Sequence, residues 1–307
     1  MLESNRFFHG LVSFAFVLMA VAIVLSADMR LSNAGLGCSD WPACYGRNLV
    51  GLAPAHAQWM NVLHRVAASI LGFVILLITV LAWQRRQSAP GDFPRALALF
   101  VLTAFLAALG KWTPDPHLAI VALCNLMAGL AILALLWRLH LGYSRISRKP
   151  SRLRVWALLG LVLLTVQITL GGMVSANFAA LTCATSLFSC DGWWQHASMA
   201  AFNPFQVLDA GPGHPFVPGE IQQTLQIAHR ISALLVFSHL AWLGVRLLRE
   251  NMRSVGILLI ALLALQVILG ISAVIFSLPL VVVLMHNATA ALLLLTLVTV
   301  SYQLGRH

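Results

Sequence analysis

Charge is scarce in this chain. Only 9% of its 307 residues are Asp, Glu, Lys or Arg, against roughly a quarter in soluble globular proteins. That excludes an ordinary water-soluble domain and a disordered segment kept in solution by charge. Acidic residues number just nine, so a site built on clustered carboxylates has little to draw on. Cysteine is also sparse: five in the whole chain exclude a disulfide scaffold, and each has to be read by its position. What abounds is apolar: 60% of residues are hydrophobic. The formal charge of +10 would suggest nucleic acid in a soluble protein. In a chain this apolar it sets orientation across a bilayer instead, and no nucleic-acid partner is expected.

A bilayer core about 30 Å thick takes roughly 20 apolar residues per helix. Eight runs meet or approach that length: about 8–28, 58–83, 95–111, 117–138, 154–175, 221–246, 255–276 and 280–303. The first run is too long for a signal peptide, and Asp28-Met29-Arg30 is no small-residue cleavage site. The basic residues cluster at the N terminus (Arg6), in alternate loops (Arg85, Arg86, Arg145 to Arg154, Arg246 to Arg253) and at the C terminus (Arg306). Both termini are therefore expected in the cytoplasm, with the loops at 29–57 and 176–220 outside.

The chain carries a weak internal echo. Val62-Leu63-His64-Arg65-Val66-Ala67-Ala68 resembles Ile227-Ala228-His229-Arg230-Ile231-Ser232-Ala233, and Gln167-Ile168-Thr169-Leu170-Gly171 resembles Gln266-Val267-Ile268-Leu269-Gly270. The expected fold is an all-α membrane protein of eight transmembrane helices, arranged as two tandem four-helix bundles. An N-terminal half over 1–142 and a C-terminal half over 154–307 are joined by a basic cytoplasmic linker at 143–153. Both halves start inside, so they form a parallel repeat.

His64, His229 and His286 each lie within an apolar span, near its outer end. Each sits about seven or eight residues in from the outer end of its helix, which is about 10 Å at 1.5 Å per residue. A polar side chain at that depth has to face the bundle interior and find a partner. His229 and His286 belong to the same half and share one depth. Two imidazoles so placed suit the axial positions of a haem iron; the bland alternative is that each ring hydrogen-bonds a neighbouring helix. A zinc site is disfavoured because no third ligand lies near in sequence. Arg65 and Arg230, directly after their histidines, are candidates for pairing haem propionates, or for snorkelling to headgroups. Cys38 and Cys44 share the first outer loop, and Cys183 and Cys190 the third. Both pairs face an oxidising compartment in a bacterial plasma membrane. They suit short-loop disulfides, either structural or redox-active.

These residues together resemble a known family. The loop from Gly35-Leu36-Gly37-Cys38 to Trp41-Pro42-Ala43-Cys44, the pair His64-Arg65, the stretch from Gly171-Gly172 to Asn177 with Cys183 and Cys190, the pair His229-Arg230, and His286 are similar to the haem A synthases of cytochrome-oxidase assembly. The likeness spans essentially the full length. It implies an oxidoreductase that oxidises a methyl group of haem O to the formyl group of haem A. It implies a haem b between His229 and His286, and haem O as substrate at His64. Membrane lipid, haem O synthase and other oxidase assembly factors are the implied partners.

The N-terminal half departs from the family pattern. The family has a glutamate three residues before the first histidine of this half; here that residue is Asn61, which can hydrogen-bond but cannot titrate. The family's second histidine falls on Cys124 or Asn125, depending on the placement of one gap. Cys124 or Met127 could serve as an axial ligand in its stead, an open or water-ligated position is the equal alternative, and His117 lies about two turns too early. Two further readings thus stand beside the enzyme. One is a catalytically impaired, haem b-binding relative acting in oxidase assembly or electron transfer. The other is a transporter with hydrogen-bonded interior histidines. Reporter fusions test the topology: an extracytoplasmic reporter should be active when fused within 29–57 or 176–220, and silent when fused after Arg306 or within the 143–153 linker.

Overall fold

The computed structural model describes residues 2–33, 54–110, 119–144, 146–183, 197–205, 219–250 and 252–305. Among these residues all regular structure is helical, with no strand. The eight long helices are α1 (Leu2–Asn33), α2 (Pro54–Gln84), α3 (Asp92–Leu109), α4 (Ala119–Tyr143), α5 (Leu153–Ala176), α6 (Glu220–Arg249), α7 (Arg253–Ile275) and α8 (Leu280–Gln303), with one 3-10 turn at Met199–Phe202. All eight long helices are long and apolar enough to cross a membrane. Large apolar side chains also point outward, as at Phe73 (75% exposed) and Val281 (66% exposed). Such a surface suits lipid rather than water.

The helices close into two rings. In the first, α1 packs on α2 and α4, and α3 packs on the same two; in the second, α5 packs on α6 and α8, and α7 packs on the same two. Helices α2 and α4, and likewise α6 and α8, lie across their ring from one another. The rings meet where α4 packs against α5 and α8, with α1 touching α8. The linker is pinned to the end of α8: Lys149 N–H donates to Gln303 O at 2.7 Å.

The helices bury stripes at three- and four-residue steps, the period of a helix facing a bundle core. The stripes correspond between rings at a constant offset for each helix pair. Phe8, Val12, Ala15 and Met19 of α1 answer Leu153, Ala157, Gly160 and Leu164 of α5. Leu71, Ile75, Ile78 and Ala82 of α2 answer Val236, Leu240, Leu243 and Leu247 of α6. Ala128, Ile132, Leu136 and Leu139 of α4 answer Thr289, Leu293, Leu297 and Val300 of α8.

The second core is layered along its axis. At the end carrying the Arg-rich linker, the basic end, Leu153, Ala157, Gly160 and Leu164 of α5, Val236, Leu240, Leu243 and Leu247 of α6, Gly256, Leu259 and Leu263 of α7, and Leu293, Leu297 and Val300 of α8 form a layer that is aliphatic or glycine. Toward the opposite, far end the same stripes continue into Gln167 and Gly171 on α5, His229 on α6, Gln266 and Gly270 on α7, and His286 on α8. The apolar layer packs the helices by van der Waals contact, and the polar groups are confined to the far layer.

Close backbone approach holds α6 against α7. A Cβ on Gly256 would meet the carbonyl oxygen of Gly244 at 3.0 Å and the Leu248 side chain at 3.0 Å. A methyl-bearing residue there has to push the helices apart. Replacing Gly256 by Val should lower stability by about 2 kcal/mol through overpacking, seen as a fall in Tm in detergent. Gly10→Ala, where open space surrounds the new methyl, should leave Tm unchanged or raise it slightly.

Candidate functional site

The polar layer of the second ring is built from two matching pieces. On α5, Gly171 brings the backbone so close to α6 that an added Cβ would sit 3.1 Å from Cε1 of His229. One turn earlier, the Gln167 amide Nε2 lies 3.2 Å from His229 Nδ1 and donates to the His229 carbonyl at 3.1 Å. Ser232 Oγ donates to Gln167 Oε1 and fixes the amide. On α7, Gly270 does the same for α8: an added Cβ would sit 3.0 Å from Cε1 of His286. The Gln266 amide Nε2 lies 3.1 Å from His286 Nε2. A Gln-x-x-x-Gly step thus places an amide and a bare backbone on one helix face, four residues apart. The amide fixes the ring by hydrogen bonding, and the glycine lets it lie flat against the neighbouring helix.

Each ring keeps one nitrogen in reserve. His286 Nδ1 is buried without a hydrogen-bond partner, and among the described residues the His229 ring hydrogen-bonds only through Nδ1. The two imidazoles are carried by helices that lie across the second ring from one another. A metal-bound imidazole needs one free nitrogen and an orienting partner on the other, and a buried nitrogen with no partner is costly unless something else satisfies it. The donor set, the glycine clearance and the orphaned nitrogen therefore fit an iron porphyrin ligated by both histidines. Among the described residues no group of three or more His, Cys, Asp or Glu could hold a bare metal ion.

The first ring lacks this scaffold. His64 answers His229 on the inward stripe of α2, its ring lies against the backbone of Ala22, and its Nδ1 is buried without a partner. The positions answering Gln167 and Gly171 are Ala22 and Ser26. Those answering Gln266 and Gly270 are Leu106 and Gly110. The buried register of α4 places Asn125, not Cys124, at the position answering His286. Tyr143, five turns further along α4 on the face of Asn125, reaches Asp92 and Arg85 inside the first ring. Cys124 is turned about 100° away and is a free thiol. Met127 faces α5, where it accepts a hydrogen bond from Thr169 at 3.5 Å. Asn61 shares the inward face of α2 with His64, and α2 and α4 contain no Asp or Glu.

The arginines separate. Arg65 is exposed. Arg230 is half-buried and donates to Cys183 O at 3.3 Å. Cys183 is disulfide-bonded; Cys38, Cys44 and Cys190, like His117, lie outside the described residues. Sequence reasoning missed Gln167, Gly171, Gln266 and Gly270 as parts of the site. Their shared Gln-x-x-x-Gly spacing was visible, but as a trace of duplication. That it supports the histidines follows only from α5 packing on α6 and α7 on α8.

Comparison with known proteins matches residues 10–298 to the family described as Cytochrome oxidase assembly protein. The chain is 39% identical to Heme A synthase of Shewanella oneidensis, over 95% of each chain. It is 24% identical to Heme A synthase of Rhizorhabdus wittichii, over 94% of this chain and 92% of that protein. A shorter likeness, 30% identity over 130 residues and 40% of this chain, links it to 28% of Protoheme IX farnesyltransferase 1 of Natronomonas pharaonis.

The glycine contacts give a direct test. Gly171→Val and Gly270→Val should each displace a histidine ring and remove most of the absorbance of bound iron porphyrin from the purified protein. Gly142→Val, in open space, should retain it.

Proposed function

Because the chain belongs to the cytochrome oxidase assembly protein family, we infer that it oxidises the methyl group of haem O to the formyl group of haem A, using a haem b held by His229 and His286. It is a multi-pass membrane protein with haem A synthase-like function in cytochrome oxidase assembly. The observation that carries the finer reading is the pair of buttressed imidazoles on opposite helices of the second ring, each with a nitrogen free for iron.

When bound there, haem b supplies reversible one-electron transfer. The chain's residues define the rest. Gln167 and Gln266 orient the two imidazoles and so set their basicity. The aliphatic layer of Leu164, Leu240, Leu263 and Leu297 seals the site from the basic end and keeps water away. With His229 and His286 both holding the haem b, the second ring would serve electron transfer rather than substrate binding. The first ring offers one imidazole, His64, with Asn125 in the place of the second, and suits a substrate haem whose opposite face stays open. Asn61, one turn from His64, can position a hydrogen-bonded group but cannot take up a proton.

The basic end faces the cytoplasm of a bacterial plasma membrane, with both termini there, and the polar layer lies near the outer face. The loop cysteines pair as Cys38–Cys44 and Cys183–Cys190 in the oxidising compartment. Arg65 reaches the outer headgroups from its exposed position, and Arg230 serves a propionate at the outer mouth.

The substitution of Asn61 for the family's carboxylate favours one alternative, a haem b-binding relative with little catalysis of its own. Production of the protein in cells that also make haem O, followed by haem extraction, separates the two. The enzyme reading predicts haem A in the extract and at least a several-fold rise in the Asn61→Glu variant. A full complement of haem b with no haem A in either protein supports the alternative. Absence of bound haem contradicts both.

A further inference from the structure

Arg30 was not among the candidate site residues, yet it occupies an unusual place. It lies in the last turn of α1, half-buried, and its Nη1 donates to Ser175 Oγ on α5. That contact crosses the seam between the rings. By the burial register, Arg30 and Ser175 are answering positions of the two halves, so the contact falls on the axis that relates them. Ser175 is one turn, about 6 Å, beyond Gly171, the residue on which the His229 ring rests. The guanidinium therefore sits just outward of the imidazole, over the same side of α5.

Two features distinguish Arg30 from an arginine that snorkels. Helical side chains lean toward the N terminus of their helix. The N terminus of α1 is at the basic end, so Arg30 leans into the protein rather than out to headgroups. Its partner is also inadequate. A guanidinium carries five donors, and among the described residues Arg30 has one neutral hydroxyl and no carboxylate. A cation drawn from water in this way calls for an anion.

The layering of the second ring says where that anion comes from. A porphyrin held between His229 and His286 has an apolar body and two carboxylates on one edge. The basic end is closed by Leu164, Leu240, Leu263 and Leu297, where a carboxylate would be stranded. The charged edge must face the far end, where Arg30 reaches across from the other half. Arg230, at the Cys183 carbonyl, serves one of the two carboxylates, and Arg65 is exposed, so the other carboxylate is left without a cation from the second ring. We propose that Arg30, carried by the first ring, receives a carboxylate of the porphyrin held by the second ring. This rests on the haem b reading above. It makes the seam part of the cofactor site, so that neither half completes it alone.

The test uses the full-length protein purified with its haem. The parent spectrum comes first: if no b-type haem is bound, the haem b reading falls, and this assignment with it. With haem present, Arg30→Gln should keep the low-spin spectrum. Removing a cation beside the porphyrin destabilises the reduced form. The reduction equilibrium should therefore shift about tenfold toward the oxidised form, about 59 mV for one electron. Transfer of haem to an excess of apomyoglobin should also quicken about tenfold. Arg30→Lys, which keeps the charge but not the fork, should hold the potential and still release haem faster. Ser175→Ala should leave the potential unchanged, because the hydroxyl only steadies Arg30. An unchanged potential in Arg30→Gln, or unchanged haem release in Arg30→Lys, overturns the assignment and leaves the haem b reading intact. So does a shift in Ser175→Ala as large as that in Arg30→Gln, which would mean that the contact merely holds the halves together.

Discussion

The contact between a glutamine amide and an imidazole, laid over a glycine, is the interaction on which this structure depends. It occurs twice, at Gln167–Gly171 against His229 and at Gln266–Gly270 against His286. A polar ring inside an apolar bundle is a liability unless it is held and used. Here the amide holds one nitrogen, the missing Cβ gives the ring its place, and the other nitrogen stays without a hydrogen bond. The aliphatic layer toward the basic end makes such a costly far layer affordable.

The two rings show what distinguishes a site from its remnant or its variant. Their aliphatic layers correspond position for position, so both fold on the same plan. Their polar layers do not. In the first ring Ala22, Ser26 and Leu106 stand where the second ring has Gln167, Gly171 and Gln266, and Asn125 stands where it has His286. A duplicated bundle thus keeps its packing and diverges where packing does not constrain it. The outcome is one half with two buttressed imidazoles, proposed above to hold a porphyrin, and another that offers a single imidazole. A permanent relay beside a site where a substrate porphyrin comes and goes has the same asymmetry.

Much of this was legible in the sequence because a membrane imposes simple rules. Run length gave the number of helices, and their observed bounds differ from the expected ones mainly at the ends. The first helix extends to Leu2 and the second begins at Pro54, since polar turns add helix without adding apolar length. Depth along the helix singled out His64, His229 and His286. Rotation about the helix was harder to read. The choice between Cys124 and Asn125 turns on one residue of register, and a span that is apolar all round carries little amphipathic signal. In the structure Val121, Gly129, Ile132, Leu136 and Leu139 are buried on the face that carries Asn125. The glutamines were invisible as supports because their partners are distant in sequence. Gln167 meets a histidine 62 residues on, and Arg30 meets Ser175 145 residues away. Only the closure of the rings brings them together.

The central claim is that both buttressed imidazoles bind one iron, and electron paramagnetic resonance of the oxidised protein tests it most directly. The account predicts a low-spin ferric signal of the bis-imidazole type in the parent, converted to a high-spin signal by either His229→Ala or His286→Ala. A high-spin signal in the parent, or a low-spin signal that survives the loss of either histidine, would contradict it.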